Sequence, residues 1–290
     1  MARVFSASPS VQVPFYVGFA GLIVLVLAWG DTLSLSIDLF LHPAETACAP
    51  AKSPEVCASE HYQQAIDQFM NLAFLAAVGV SLYAYLARFL PNRERAVRGD
   101  SRRWGRLLVS LSGFVFFSQC AQLTSQAMWG SDLAAPLSES ASPGAQWWQA
   151  ARMAIAGAAE EPFFVGLPIV LLSLRYRSAQ AVPRTVIVTA IGISGVARGI
   201  LHLYQGTPFA VAAFVWGSAV AALFWRYRSL FGLVVGHAIY NGYALASHEY
   251  SGSLVVIAVT AVAGVATLCG MFLCRWIDAP TSLVSAVRTD

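Results

Sequence analysis

Ala156-Gly157-Ala158-Ala159-Glu160-Glu161-Pro162-Phe163-Phe164-Val165-Gly166 places two adjacent carboxylates inside an apolar run. The run extends from Trp147 to Leu174, and as a helix rising about 1.5 Å per residue it is long enough to cross a bilayer. A charged residue at the centre of such a helix costs roughly 2.5–3.5 kcal/mol on insertion scales. Two in succession require protonation, a partner or a solvated cavity. Ionisable groups at this depth mark a functional site, with partners on other helices, unless they serve only as a polar packing contact.

The rest of the chain has the same character. Of its 290 residues 57% are hydrophobic and only 11% are charged, and the mean hydropathy is +0.62. Soluble domains carry about 25% charged residues, so the chain reads as an integral membrane protein. Its net charge of +3 matters less than the distribution. Arginines gather at Arg88, Arg93, Arg95, Arg98, Arg102, Arg103 and Arg106, then at Arg175, Arg177 and Arg184, at Arg226 and Arg228, and at Arg275 and Arg288. The intervening polar segments are acidic or neutral. That alternation follows the positive-inside rule and predicts both termini on the cytoplasmic side. Each basic cluster ends an apolar span, which argues for a lipid bilayer and against nucleic acid as the partner of these charges.

Eight spans are expected, at about 13–29, 65–90, 107–129, 147–174, 185–203, 208–226, 230–246 and 254–274. The fold class is all-α, a polytopic transmembrane helical bundle. It forms one integral membrane domain over 1–290, with N-terminal helices lacking motifs over 1–146 and a polar cytoplasmic tail over 277–290. The outer loop after the first span holds Cys48 and Cys57, which an oxidising outer face would allow to form a disulfide. Unpaired thiols are the other reading. Cys120, Cys269 and Cys274 lie in apolar spans without metal-ligand spacing and read as packing residues.

Three spans carry ionisable or amide groups on one helical face. Ser194, Arg198 and His202 recur at steps of four. His237 and Asn241 are also four apart. Glu160 and Glu161 diverge by about 100° around their helix, so one can face a cavity while the other pairs elsewhere. Arg198 is the expected partner of Glu161. Pro162 removes a helical donor and should disturb the helix there.

In this order and placement, Glu160-Glu161, Arg198-Gly-Ile-Leu-His202 and His237-Ala-Ile-Tyr-Asn241 resemble the motifs of the CPBP intramembrane proteases, whose eukaryotic members are the type II CAAX prenyl endopeptidases. The resemblance covers about 147–245. It differs at two points: the arginine usual five residues after the first glutamate is Val165, and the phenylalanine usual four residues before the first histidine is Arg198. The pattern is similar to a divergent bacterial branch, which implies a bacterial plasma membrane. The resemblance further implies an intramembrane endopeptidase acting on a membrane protein or peptide. Glu160 and His202 would activate a water while His237 and Asn241 hold the developing oxyanion, with Glu161 and Arg198 accessory. It requires no cofactor and no metal.

The residues leave other chemistries open. A zinc site could use His202, His237 and Glu160, although the helical His-Glu-x-x-His spacing is absent. Gly192-Ile193-Ser194-Gly195 matches the Gly-x-Ser-Gly of rhomboid proteases, but the His-x-x-x-Asn follows the serine here instead of preceding it. An aspartyl mechanism lacks two membrane-embedded aspartates. The non-enzymatic alternative is a membrane scaffold or immunity-type protein that retains the polar core for structure.

Overall fold

The computed structural model describes residues 9–41, 54–90, 100–129, 143–176, 182–247 and 253–278. These form eight helices. They are α1 (Pro9–Leu41), α2 (Pro54–Ala87), α3 (Asp100–Trp129), α4, α5 (Arg184–Leu201), α6 (Thr207–Tyr227), α7 (Leu230–Ser247) and α8 (Ser253–Asp278). α4 runs through three consecutive segments, Pro143–Glu161, Pro162–Gly166 and Leu167–Arg175. Six of these helices contain stretches long and apolar enough to cross a membrane, and α1 is apolar over Gln12–Val24. The protein is an all-α polytopic membrane bundle. Cys48 lies outside the described residues, as does the side chain of Cys57, and so does most of the C-terminal tail.

Burial ranks the helices. The membrane stretch of α4 is 78% buried, against 50% for α3 and α6 and about 20% for α2, α5 and α8. α4 is therefore the axis of the bundle, flanked by α2 and α7, while α3 packs along α6, α7 and α8 and α5 packs along α6. The outward faces are apolar instead of polar: Val188, Ile193, Phe231, Val262, Leu268 and Phe272 are all at least 63% exposed. Large exposed apolar area on so many helices is what a lipid solvent selects.

The centre of α4 departs from α geometry where the sequence suggests. Pro162 has no N–H to give to Ala158, and the next turn widens into a π-helical segment, Pro162–Gly166, closed by the Leu167 N–H on the Pro162 carbonyl. All five residues of this turn are buried. Trp29 of α1 stacks on Phe163 at 5.9 Å and meets Phe164 at a tilt at 5.7 Å, so the first helix seals one side of it. Gly157, one turn before the glutamates, lets α7 approach: a Cβ there would lie 2.8 Å from the His237 Cβ and 2.9 Å from the Val234 carbonyl oxygen. Small residues at such crossings are how membrane helices pack closely.

α5 stops at Leu201, and a single 3-10 turn, Leu203–Gln205, leads through Gly206 (φ 93°) directly into α6. The positive φ is open to glycine at little cost, and Gly206 permits the reversal. On length alone, a straight fifth helix would carry His202 about 26 Å from the cytoplasmic side, well beyond His237. α5 keeps that length, with 18 residues from Arg184 to Leu201, yet the His202 and His237 rings both stand 6.0 Å from Trp216, so the packing of the helices and not their length brings the two together.

Candidate functional site

Four ionisable side chains from three helices meet beside the π turn. Arg198 of α5 is fully buried, and its Nη2 donates to Glu161 Oε1 at 2.5 Å. Its Nη1 reaches Glu160 Oε2 at 3.4 Å. His237 of α7 meets the same Glu161 Oε1 through Nδ1 at 2.8 Å. One guanidinium thus serves both glutamates, and one carboxylate oxygen accepts from two helices at once. The stripe on α5 explains how Arg198 gets there: Ser194 and Arg198 are both buried on the same face, with His202 at its end.

The pairing settles which nitrogen of each histidine carries hydrogen. A carboxylate ion-paired to arginine only accepts, so His237 donates from Nδ1. In the neutral ring its Nε2 then presents a lone pair. His202 makes the corresponding contact through Nδ1 to Gln205 Oε1 at 3.2 Å, and an amide oxygen likewise only accepts. Both histidines are thereby oriented through Nδ1.

Asn241 lies one turn beyond His237 on α7. Its Nδ2 donates to the Met153 carbonyl at 2.8 Å, tying α7 to α4 one level outward from the cluster. The tautomer of His237 is set by Glu161 and not by Asn241. His202 is half-buried where α5 ends. The structure brings Glu160, Glu161, Arg198 and His237 into direct contact and leaves His202 and Asn241 at the margin. Among the described residues no group of three His, Cys, Asp or Glu side chains is placed to hold a metal ion.

Several contributors carry no signal in the sequence. Phe114 of α3 stacks on the His237 ring at 4.7 Å, so a helix read as motif-free forms one wall of the site. Tyr240 donates to Gln122 of α3 at 2.8 Å. Phe164 from the π turn lies 5.4 Å from the Arg198 guanidinium carbon. Arg152, a further cation inside α4, donates to Gln68 of α2. A chemically active residue stands out among apolar neighbours; the apolar neighbours that hold it do not.

Val165 is fully buried. The site's guanidinium comes from α5 instead of α4, and it sits where it can serve both carboxylates.

Residues 143–243 match the family described as type II CAAX prenyl endopeptidase Rce1-like. No curated protein and no solved structure matches the chain. The match starts at the first residues of α4 and ends just past Asn241, so it takes in every residue of the cluster and leaves α1, α2, α3 and α8 outside. The segment 143–243 is thus similar to a protease family, the Rce1-like type II CAAX prenyl endopeptidases, and it is set in an integral membrane protein.

Proposed function

We propose that this protein is an intramembrane endopeptidase that hydrolyses a peptide bond of a membrane-associated substrate, with Glu160 as the base that activates water. The observation that carries the reading is the division of labour within Glu160-Glu161. Glu161 is occupied by Arg198 and His237, whereas Glu160 keeps only the longer contact at 3.4 Å. One guanidinium faces two carboxylates, so the pair has room for one proton, which is what a general base needs.

Glu160 takes a proton from water as its oxygen attacks the peptide carbonyl. The tetrahedral intermediate collapses, and that proton passes to the leaving amine. His237 enters with Nδ1–H committed to Glu161, so in its neutral form Nε2 accepts hydrogen and does not donate. It therefore serves as an acceptor beside Glu160, not as the oxyanion donor the family resemblance implies. His202, oriented through Gln205, is the other imidazole available to the water. The second N–H of the Asn241 amide is the donor available to the oxyanion, and donors of this kind are worth about 2.7–4 kcal/mol where measured.

The substrate class that the family name brings is a prenylated CAAX terminus, and it is the first to try. The orientation that the arginine clusters support puts both termini in the cytoplasm, in a bacterial plasma membrane if the branch inferred from the motifs holds. The test uses purified protein in liposomes with two quenched fluorogenic probes, a farnesylated CAAX peptide and a transmembrane peptide of matched length. Cleavage of either by the parent and by no E160Q preparation supports the proposal. A folded parent that cleaves neither supports the non-catalytic scaffold, for which the near-dry Arg198–Glu161–His237 set is the favouring observation.

A further inference from the structure

Trp216 lies on α6, a helix with no ionisable residue in the site, yet it touches the site from three directions. The Arg198 guanidinium carbon stands 4.5 Å from its ring centroid. The His202 ring meets it edge-on at 6.0 Å, and the His237 ring does so at 6.0 Å from the other helix. Phe114, which stacks on His237, packs edge-to-face on the same indole at 5.4 Å. The indole is 4% exposed.

A large aromatic in a core is usually just volume. Two observations separate Trp216 from that case. Its contacts are with the charged and titratable members of the cluster, one from the body of α5, one from its end and one from α7. The next residue is Gly217, and a Cβ there would fall 2.8 Å from Arg198 Cδ. The Trp-Gly pair thus offers a π face to the guanidinium and bare backbone to the arginine stem, so that Arg198 can lie flat between α6 and Phe164.

We propose that Trp216 is a positioning residue of this site: its indole holds the Arg198 guanidinium on the two glutamates and spaces His202 from His237. A guanidinium held by a π face has one resting place. Without that face its long side chain can swing from the carboxylates toward the imidazoles, and the water-activating groups lose their relative placement. The geometric half of the proposal stands on the contacts alone. The kinetic half rests on the proteolytic reading.

The test has two arms. In the first, 5-fluorotryptophan is incorporated and the Trp216 resonance is identified as the one missing from W216F. That resonance shifts in H202Q and in H237Q, and also in R198K. If H237Q does not fold, H202Q decides alone, because its ring sits at a helix end. A resonance indifferent to the histidine replacements overturns the proposal. In the second arm, W216F and W216L are compared on the fluorogenic peptide. W216L lowers kcat about a hundredfold with KM within about twofold, since misplacement of a catalytic group costs on that order, and W216F retains more of kcat than W216L. A W216L variant with parental kcat overturns it as well. A parent that cleaves no peptide defeats the proteolytic reading only, and the fluorine arm then decides the positioning role.

Discussion

Glu161 accepts from Arg198 at 2.5 Å and from His237 at 2.8 Å with no exposed surface, whereas its neighbour Glu160 meets Arg198 only at 3.4 Å and keeps a 9% exposed side chain. The same contrast extends outward. Arg198 and His237 are buried on the Glu161 side, while His202 and Asn241 are half-buried where α5 ends and α7 continues. Two adjacent residues of one type have been given opposite settings by a single helical step and by the π turn behind them. On the inner side Glu161 Oε1 takes two charge-assisted hydrogen bonds, which rigidify, while Glu161 Oε2 and Arg198 Nε have no hydrogen-bond partner among the described residues. On the outer side Glu160 keeps only its longer contact to Arg198. The tighter ion pair and the looser one lie on different sides of one peptide bond.

That contrast can be broken most severely at Arg198. Removing one partner of a buried pair leaves the other charge uncompensated and costs about 3–5 kcal/mol. R198A should therefore lose most of its folded yield, read as thermal unfolding in detergent. R198A with E161Q should recover part of the loss, because the orphaned carboxylate is gone. Strictly additive losses would place the stabilising contact elsewhere. The next largest effect is expected at Gly157. Its Cβ would meet both the His237 side chain and the Val234 carbonyl. G157A should lower stability by about 1–3 kcal/mol, the usual cost of overpacking. It should also reduce activity by moving α7, and an unchanged melting temperature would show that α4 and α7 are not in close register.

A smaller effect tests the margin. N241A removes one hydrogen bond to the Met153 carbonyl, worth about 1 kcal/mol, because that bond joins two helices and not two charges. Its melting temperature should fall less than that of R198A. If the two fall equally, the division into an ion-paired side and a more weakly held margin is wrong.

Much of this arrangement is legible in the sequence. The all-α membrane class follows from composition, and the stripe of Ser194, Arg198 and His202 follows from steps of four. Arg198 as the partner of Glu161 follows from depth and the scarcity of other acids at that level. The helical disturbance after Pro162 follows from its missing N–H. Other features are not legible. α3 carries no motif, yet its Phe114 lies flat on His237, and an apolar ring in an apolar span gives no sign of what it covers. Counting helical rise puts His202 and His237 at different depths, because helix length says nothing of how α5 and α7 pack about α6, where both rings meet Trp216. The partner of Asn241 is a main-chain carbonyl, and main-chain acceptors have no sequence signature. Arg152 on α4 is easily passed over, since among the described residues its partner is the neutral Gln68 side chain on α2.

The most direct measurement sets E160Q beside E161Q in one preparation, reading melting temperature and peptide hydrolysis for both. Each variant removes the same charge from adjacent positions, so helix propensity and insertion cost are matched. The account predicts that E160Q melts close to the parent, within about 1 kcal/mol, the scale of one hydrogen bond, and cleaves nothing. It predicts that E161Q melts lower, having weakened a pair that holds Arg198 and His237. Equal melting temperatures with equal residual cleavage would contradict it, and parental cleavage by E160Q would remove Glu160 from the chemistry altogether.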